Sequence, residues 1–214
     1  MLEKLPQAVG QALREQRAGL DKIVFNQLRL GTGTAALALR SLAFADHAPI
    51  PANYTADGDG MSPPLEWTGV PAGAASLVLV VEDADSPTPQ PLVHAIVADL
   101  PAADGNLAEG AIDRASDQAE DATIGRNSFL QAGWLPPDPP PGHGTHRYVF
   151  QLFALSTGPA FESTPGRDAV MAMLQERAIA SGILTGTYER PDGSIKVGEG
   201  QRAKGVGTGG LAGS

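Results

Sequence analysis

The spacing of apolar positions changes character along the chain. Over residues 1–30, Leu2, Leu5, Val9, Leu13, Leu20, Val24 and Leu28 recur at intervals of three, four or seven, which predicts a helix weakened at Gly10 and Gly19. From Ala36 the period shortens. Leu37 to Phe44 reads as a strand and residues 46–59 as a loop. Ser76-Leu77-Val78-Leu79-Val80-Val81 is an unbroken apolar run, the pattern of a strand covered on both faces, and Leu92 to Leu100 predicts another. From His146 to Leu155 the chain alternates. His146, Tyr148, Phe150 and Leu152 fall on one face, and Arg147, Val149, Gln151 and Phe153 on the other. A helix is predicted after Thr164, which can cap it, with Pro165 in its first turn and Gly182 as its end.

These elements divide the chain into a helical arm over residues 1–35, a strand-rich domain over 36–190 and a Gly-rich, flexible tail over 191–214. The arm packs either on its own domain or on a second subunit, which would make a homodimer. Many strands and few helices predict a mainly β fold, antiparallel or mixed, rather than alternating βα units. The connections 54–64, 83–91, 104–121 and 135–144 are long for a compact domain, and loops of that length usually carry function.

Composition narrows the choice of partners. The 26 Gly and 18 Pro favour a loop-rich β fold over a bundle, and a net charge of -9 repels phosphate backbones and anionic membranes, so no nucleic-acid partner is expected. With no Cys, thiolate catalysis, Cys-ligated zinc and disulfides are excluded. Glu3, Lys4, Arg14, Glu15 and Arg17 interrupt the N-terminal region, which therefore lacks the apolar stretch of a signal peptide. No stretch is long and apolar enough for a transmembrane helix, so no integral membrane segment and a cytoplasmic location are expected.

Several motifs fail on context. Gly31-Thr32-Gly33-Thr34-Ala35-Ala36 mimics a dinucleotide fingerprint, but a helix precedes it and a strand follows, the reverse of what that site needs. Asp57-Gly58-Asp59-Gly60 opens like a calcium loop without the later ligands. His143 and His146, with Asp138, Asp83 and Asp85, offer metal-ligand chemistry, yet Gly144-Thr145 makes their spacing a loop-to-strand junction rather than a helix face. No metal and no cofactor are expected.

Two segments remain: Val81-Glu82-Asp83-Ala84-Asp85-Ser86-Pro87, and the Pro-rich run from Pro136 into Gly142-His143-Gly144-Thr145-His146-Arg147-Tyr148. His146 and Tyr148 share a strand face, and with His94 they offer donors suited to phosphate or carboxylate oxygens. Proline walls are expected to hold such a site open. Asp83 would repel an anion directly and is expected to orient a histidine or tyrosine, or to accept from a ligand ammonium. Arg147, on the opposite face, is expected to pair with Asp85 and fix the turn.

These motifs resemble the phosphatidylethanolamine-binding protein family, also called Raf kinase inhibitor-like proteins, especially its short bacterial branch. Asp83-Ala84-Asp85-Ser86-Pro87 is similar to the family's Asp-Pro-Asp-x-Pro, and Gly144-Thr145-His146-Arg147-Tyr148 to its Gly-x-His-Arg-Tyr. Ser62-Pro63-Pro64-Leu65-Glu66-Trp67 and Gly186-Thr187-Tyr188 match the bacterial pattern as well. The resemblance implies a large central sheet, a smaller sheet packed on it and peripheral helices. It also implies a small pocket for phosphorylated headgroups, nucleotides, phosphopeptides or similar anions, lined by Asp83, Pro87, His94, Pro139, His146 and Tyr148. Asp85, Arg147 and Pro140 would support it. A non-enzymatic binding role follows, with regulation of a kinase or protease partner by analogy. The alternative is a hydrolase using Asp83, His94 and His146. Ala84 departs from the family's middle Pro. Asp138 stands where bacterial relatives have Cys, and is expected to add negative charge at the pocket rim.

Overall fold

A computed structural model describes residues 5–28, 34–113, 122–161 and 164–191. The larger of two sheets contains β1 (Ala35–Ala36), β4 (Ser76–Asp83), β5 (Leu92–Leu100), β7 (Thr123–Ile124), β8 (His146–Leu155) and β9 (Ala178–Tyr188), in the order β1-β9-β8-β4-β5-β7. Among the strand pairings of the described residues, only β1–β9 is parallel. The smaller sheet holds β2 (Ala38–Arg40), β3 (Leu65–Thr68) and β6 (Gly105–Leu107) in the order β2-β3-β6. The fold is mainly β.

The unbroken apolar run of β4 has a simple cause. Its alternate residues Leu77, Leu79 and Val81 pack with Leu65 and Trp67 of the smaller sheet, and with Phe150 and Leu152. Val78 and Val80 face the other way, onto Val170 and Leu174 of α3 (Arg167–Arg177) and onto Val24 and Leu28. Each fully buried side chain of this size contributes about 1.5–3 kcal/mol, so covering both faces makes β4 the centre of the core.

The N-terminal region is not one helix. It forms α1 (Gln7–Ala12), a 3-10 turn (Leu20–Lys22) and α2 (Val24–Gln27). A continuous helix would direct backbone N–H groups to carbonyls four residues back. Here Ala18 and Gly19 donate instead to the carbonyls of Ser86 and Ala84, and Val24 and Phe25 to the side chains of Glu82 and Gln151. Gly19, at φ 102°, makes the bend. Ile23, Val24 and Leu28 are buried in the domain's own core, so this region packs on its own chain rather than standing apart as an arm.

Two further expectations change. The strand read over residues 37–44 shortens to β2, Ala38–Arg40, which joins the smaller sheet after the chain leaves β1 of the larger one, and Leu42 is exposed. The late helix starts after Gly166 and ends at Arg177, short of Gly182, and runs straight into β9. Gly182 lies inside that strand, where a Cβ would stand 2.3 Å from the Leu37 carbonyl oxygen. The start of the Gly31–Ala36 string and residues 192–214 of the Gly-rich tail lie outside the described residues. Among the described residues no helix is long and apolar enough to cross a membrane.

Candidate functional site

Register brings the two distinctive segments together. Asp83, the last residue of β4, pairs with Tyr148 on one side and with Leu92 on the other. His94 reaches the same place through a bulge. Val81 pairs with Ala95 and Glu82 with Val93, which leaves His94 as the extra residue. Val93 packs on the α3 side of the sheet, whereas Ala95 packs on the smaller-sheet side. The bulge therefore turns His94 to the same side as Ala95, edge-on to Tyr148 with ring centroids 5.1 Å apart. His146 stacks against Tyr148 with ring centroids 6.3 Å apart.

A chain of short contacts starts at Asp83. Its Oδ2 lies 2.8 Å from His146 Nδ1, His146 Nε2 lies 2.7 Å from His143 Nδ1, and His143 Nε2 lies 2.9 Å from the Leu13 carbonyl oxygen and 3.2 Å from that of Gln16. Carbonyl oxygens only accept, so His143 Nε2 carries a proton. Burial and the neighbouring His146 hold the His143 imidazole below its ordinary pKa, so it is neutral and its Nδ1 accepts from His146 Nε2–H. The contact with Asp83 then needs one more proton. Three links hold three protons, one more than two neutral imidazoles supply, and the third lies between Asp83 and His146.

On the other side of Tyr148 the hydrogen bonding is incomplete. His94 Nε2, Trp134 Nε1 and Tyr148 Oη are buried without a hydrogen-bond partner. The rings are neighbours: His94 and Trp134 have centroids 6.1 Å apart. His94 Nδ1 donates to the Leu135 carbonyl at 2.6 Å, and burial holds this imidazole below its ordinary pKa, so Nε2 presents a lone pair. Burial, then the Asp83 charge, hold the Tyr148 phenol well above its usual pKa, so it stays protonated. The group thus offers two donors and one acceptor.

The surrounding turns are fixed by charge. Asp83 Oδ1 accepts from the Asp85 N–H at 2.8 Å. Arg147 grips Asp85 with both arms of its fork at 2.7 Å, and Arg17 approaches the same carboxylate at 3.0 Å. Burial alone would raise the Asp85 pKa, but these arginines and the Arg147 N–H outweigh it and hold the carboxyl at about 2. Pro87 is half-buried at the end of this turn, while Pro139 and Pro140 are buried. The two buried prolines act through their carbonyls, which accept from Arg190 Nη1 and the His143 N–H respectively.

Asp138 does not act as free negative charge at a rim. Its Oδ1 lies 2.6 Å from Arg190 Nη2, and the same guanidinium meets Asp57 at 2.9 Å. Tyr188 donates to Asp57 at 2.7 Å. One fully buried arginine thus ties the Pro-rich loop to the 55–59 turn. Nor do the prolines hold an open hollow: Asp83, His94, His143, His146 and Tyr148 are all less than 5% exposed. His143 and His146 spend their ring nitrogens on each other, on Asp83 and on carbonyls, so they do not converge on a common ion. Among the described residues no group of three or more His, Asp or Glu could hold a metal.

Sequence reasoning weighed His143 only as a metal ligand and passed over Arg17, Trp134 and Arg190. The contact of His143 with His146 has a sequence signal in their spacing of three. The other three reach the site only through tertiary folding.

A model of the family described as phosphatidylethanolamine-binding protein matches residues 40–189. The chain belongs to that family. Within it, a protein of Methanothermobacter thermautotrophicus named UPF0098 protein is 34% identical over 152 residues, covering 71% of this chain and 98% of its own length. The crystal structure of a phosphatidylethanolamine-binding protein homologue from Chlamydia trachomatis superposes with a TM-score of 0.65 at 37% identity, covering 72% of this chain and 97% of that one. The crystal structure of Escherichia coli YbcL, described as a new member of the mammalian family, gives 0.67 at 30% identity, covering 72% and 98%. The family match therefore covers β3 to β9 and both site segments, and residues 1–39, which include β1 and most of β2, precede it.

Proposed function

We propose that this chain is a non-enzymatic binding protein whose pocket, bounded by Asp83, Pro87, His94, Pro139, His146 and Tyr148, receives a small phosphorylated group. The observation that carries this reading is the trio of buried, unpartnered polar atoms on His94, Trp134 and Tyr148. Leaving one such atom unpaired costs about 1–3 kcal/mol, and three on adjoining rings make sense where a ligand completes them. The two donors suit acceptor oxygens. The His94 lone pair suits a P–OH, so inorganic phosphate, or a phosphate monoester below its second ionisation, complements all three. Asp85, Arg147 and Pro140 keep the walls in place.

Binding is favoured over hydrolysis by the state of the acid–base groups. Both nitrogens of His146 and both oxygens of Asp83 already have partners, so neither is a ready general base, and burial lowers the pKa of His94, which makes its free Nε2 lone pair a weak one. Thermal unfolding with inorganic phosphate tests the reading. A midpoint that rises with phosphate in the wild type, but not in Tyr148→Phe, supports it. A wild-type midpoint indifferent to phosphate refutes it. Turnover of phosphate esters that is lost in His146→Ala would instead establish the hydrolase.

A further inference from the structure

The N-terminal region has two parts with different holds on the domain. Residues 20–28 are anchored: Ile23, Val24 and Leu28 are buried, Val24 N–H donates to Glu82 at 2.7 Å, and Arg167 binds the Lys22 carbonyl at 2.6 Å. Residues 6–18 bury little. Among them only Gly10 and Ala18 are buried, while Val9, Arg14, Glu15 and Gln16 are exposed. Gly19, with its φ of 102°, separates the two parts.

What holds residues 6–18 is almost wholly polar, and it bridges the two segments that flank the Asp83–His146 contact. On one side, the Ala18 and Gly19 N–H groups donate to the Ser86 and Ala84 carbonyls at 3.0 and 2.8 Å, and Arg17 meets Asp85 at 3.0 Å. On the other, Arg17 donates to the Thr145 and His143 carbonyls at 2.8 and 3.1 Å, while the Leu13 and Gln16 carbonyls accept from His143 Nε2. Gly10 presses on the Pro-rich loop so closely that a Cβ there would stand 2.0 Å from the Pro141 carbonyl oxygen.

We propose that residues 6–18 are a strap, hinged at Gly19, that closes the pocket and must lift for a ligand to enter. The proposal rests on the binding role assigned to that pocket. Hydrogen bonds exchanged for water contribute little net stability each, and one buried alanine adds little. The strap therefore opens far below the cost of global unfolding, while the anchor stays seated. Its carbonyls rest on the far end of the Asp83–His146–His143 chain, so strap closure and the proton held in that chain depend on each other. A closed resting state lowers apparent affinity by the fraction of molecules that are open.

Two variants lift the strap through independent contacts and leave the pocket side chains in place: Arg17→Gln and Gly10→Val. Carbethoxylation by diethyl pyrocarbonate, read by mass spectrometry at each histidine, reports accessibility without any ligand. His47, with 73% of its side chain exposed, is the internal reference. The strap predicts that His143 and His146 react slowly in the wild type and roughly tenfold faster in both variants, with His47 unchanged. Phosphate should also bind more tightly to both variants. Wild-type rates at His143 and His146 in both variants would overturn the proposal. So would a rise accompanied by faster amide exchange across β4 and β8, which marks global loosening. Faster modification with no phosphate binding in any of the three proteins would support the strap and refute the anion reading, so the two fail separately.

Discussion

His143 Nδ1 stands 2.7 Å from His146 Nε2, and that contact fixes which way protons run between the Asp83 carboxylate and the N-terminal strap. With carbonyls at one end and a carboxylate at the other, the chain needs one proton more than two neutral rings hold. Asp83→Asn replaces an acceptor by a potential amide donor, after which two neutral imidazoles satisfy all three links. Ring nitrogen chemical shifts at neutral pH should show three protonated nitrogens over His143 and His146 in the wild type and two in Asp83→Asn. Equal counts in the two proteins would break the proton assignment.

The Asp85 carboxyl links stability to acid. Its folded pKa of about 2 lies below the ordinary 3.8, so the folded state favours the charged form. That contribution is fully present above pH 4 and is lost as pH falls from about 4 towards 2. A shift of this size corresponds to about 2 kcal/mol. Urea unfolding at a series of pH values should show the loss in the wild type and much less of it in Asp85→Asn, which starts less stable.

Arg190 is fully buried between Asp57 and Asp138, with its charge matched on both sides. Arg190→Met leaves two carboxylates facing each other without a cation, which should cost roughly 3–5 kcal/mol in unfolding free energy. Adding Asp138→Asn to that variant should recover part of the loss. A single-variant cost below about 1 kcal/mol would show that the pairing does not hold the Pro-rich loop.

Tyr148 separates structural from binding roles. Its hydroxyl is buried and unpartnered, so Tyr148→Phe should leave stability unchanged or raise it by about 1 kcal/mol, while abolishing stabilisation by phosphate. A clear loss of stability without any ligand would mean that the hydroxyl is satisfied within the protein.

Much of this was legible in the chain, and the rest was hidden for identifiable reasons. The apolar run of β4 and the alternation of β8 follow from burial on both faces and a period of two, and they place His146 and Tyr148 together. Asp85 and Arg147 could be paired because the same alternation puts Arg147 on the face opposite His146 and Tyr148. β9 escaped notice because Gly182 and Gly186 look like breakers, whereas inside the sheet they admit the Leu37 carbonyl and the Ile50 side chain. The N-terminal heptad-like spacing suggested a helix, but bonds from residues 18–25 to β4, β8 and the 84–86 turn override it, and such bonds leave no local mark. Asp138 looked like excess charge because its partner, Arg190, lies 52 residues away.

The pocket's two donors and one acceptor yield the most direct test. Inorganic phosphate below its second ionisation, near pH 6, can both accept from Trp134 and Tyr148 and donate to His94 Nε2, whereas sulfate can only accept. Nuclear magnetic resonance titration at that pH, following the Trp134 indole N–H and the His94 ring, should show saturable shifts with phosphate and markedly weaker binding of sulfate. Resonances of both rings that stay fixed under phosphate, in the wild type and in Arg17→Gln alike, would contradict the account.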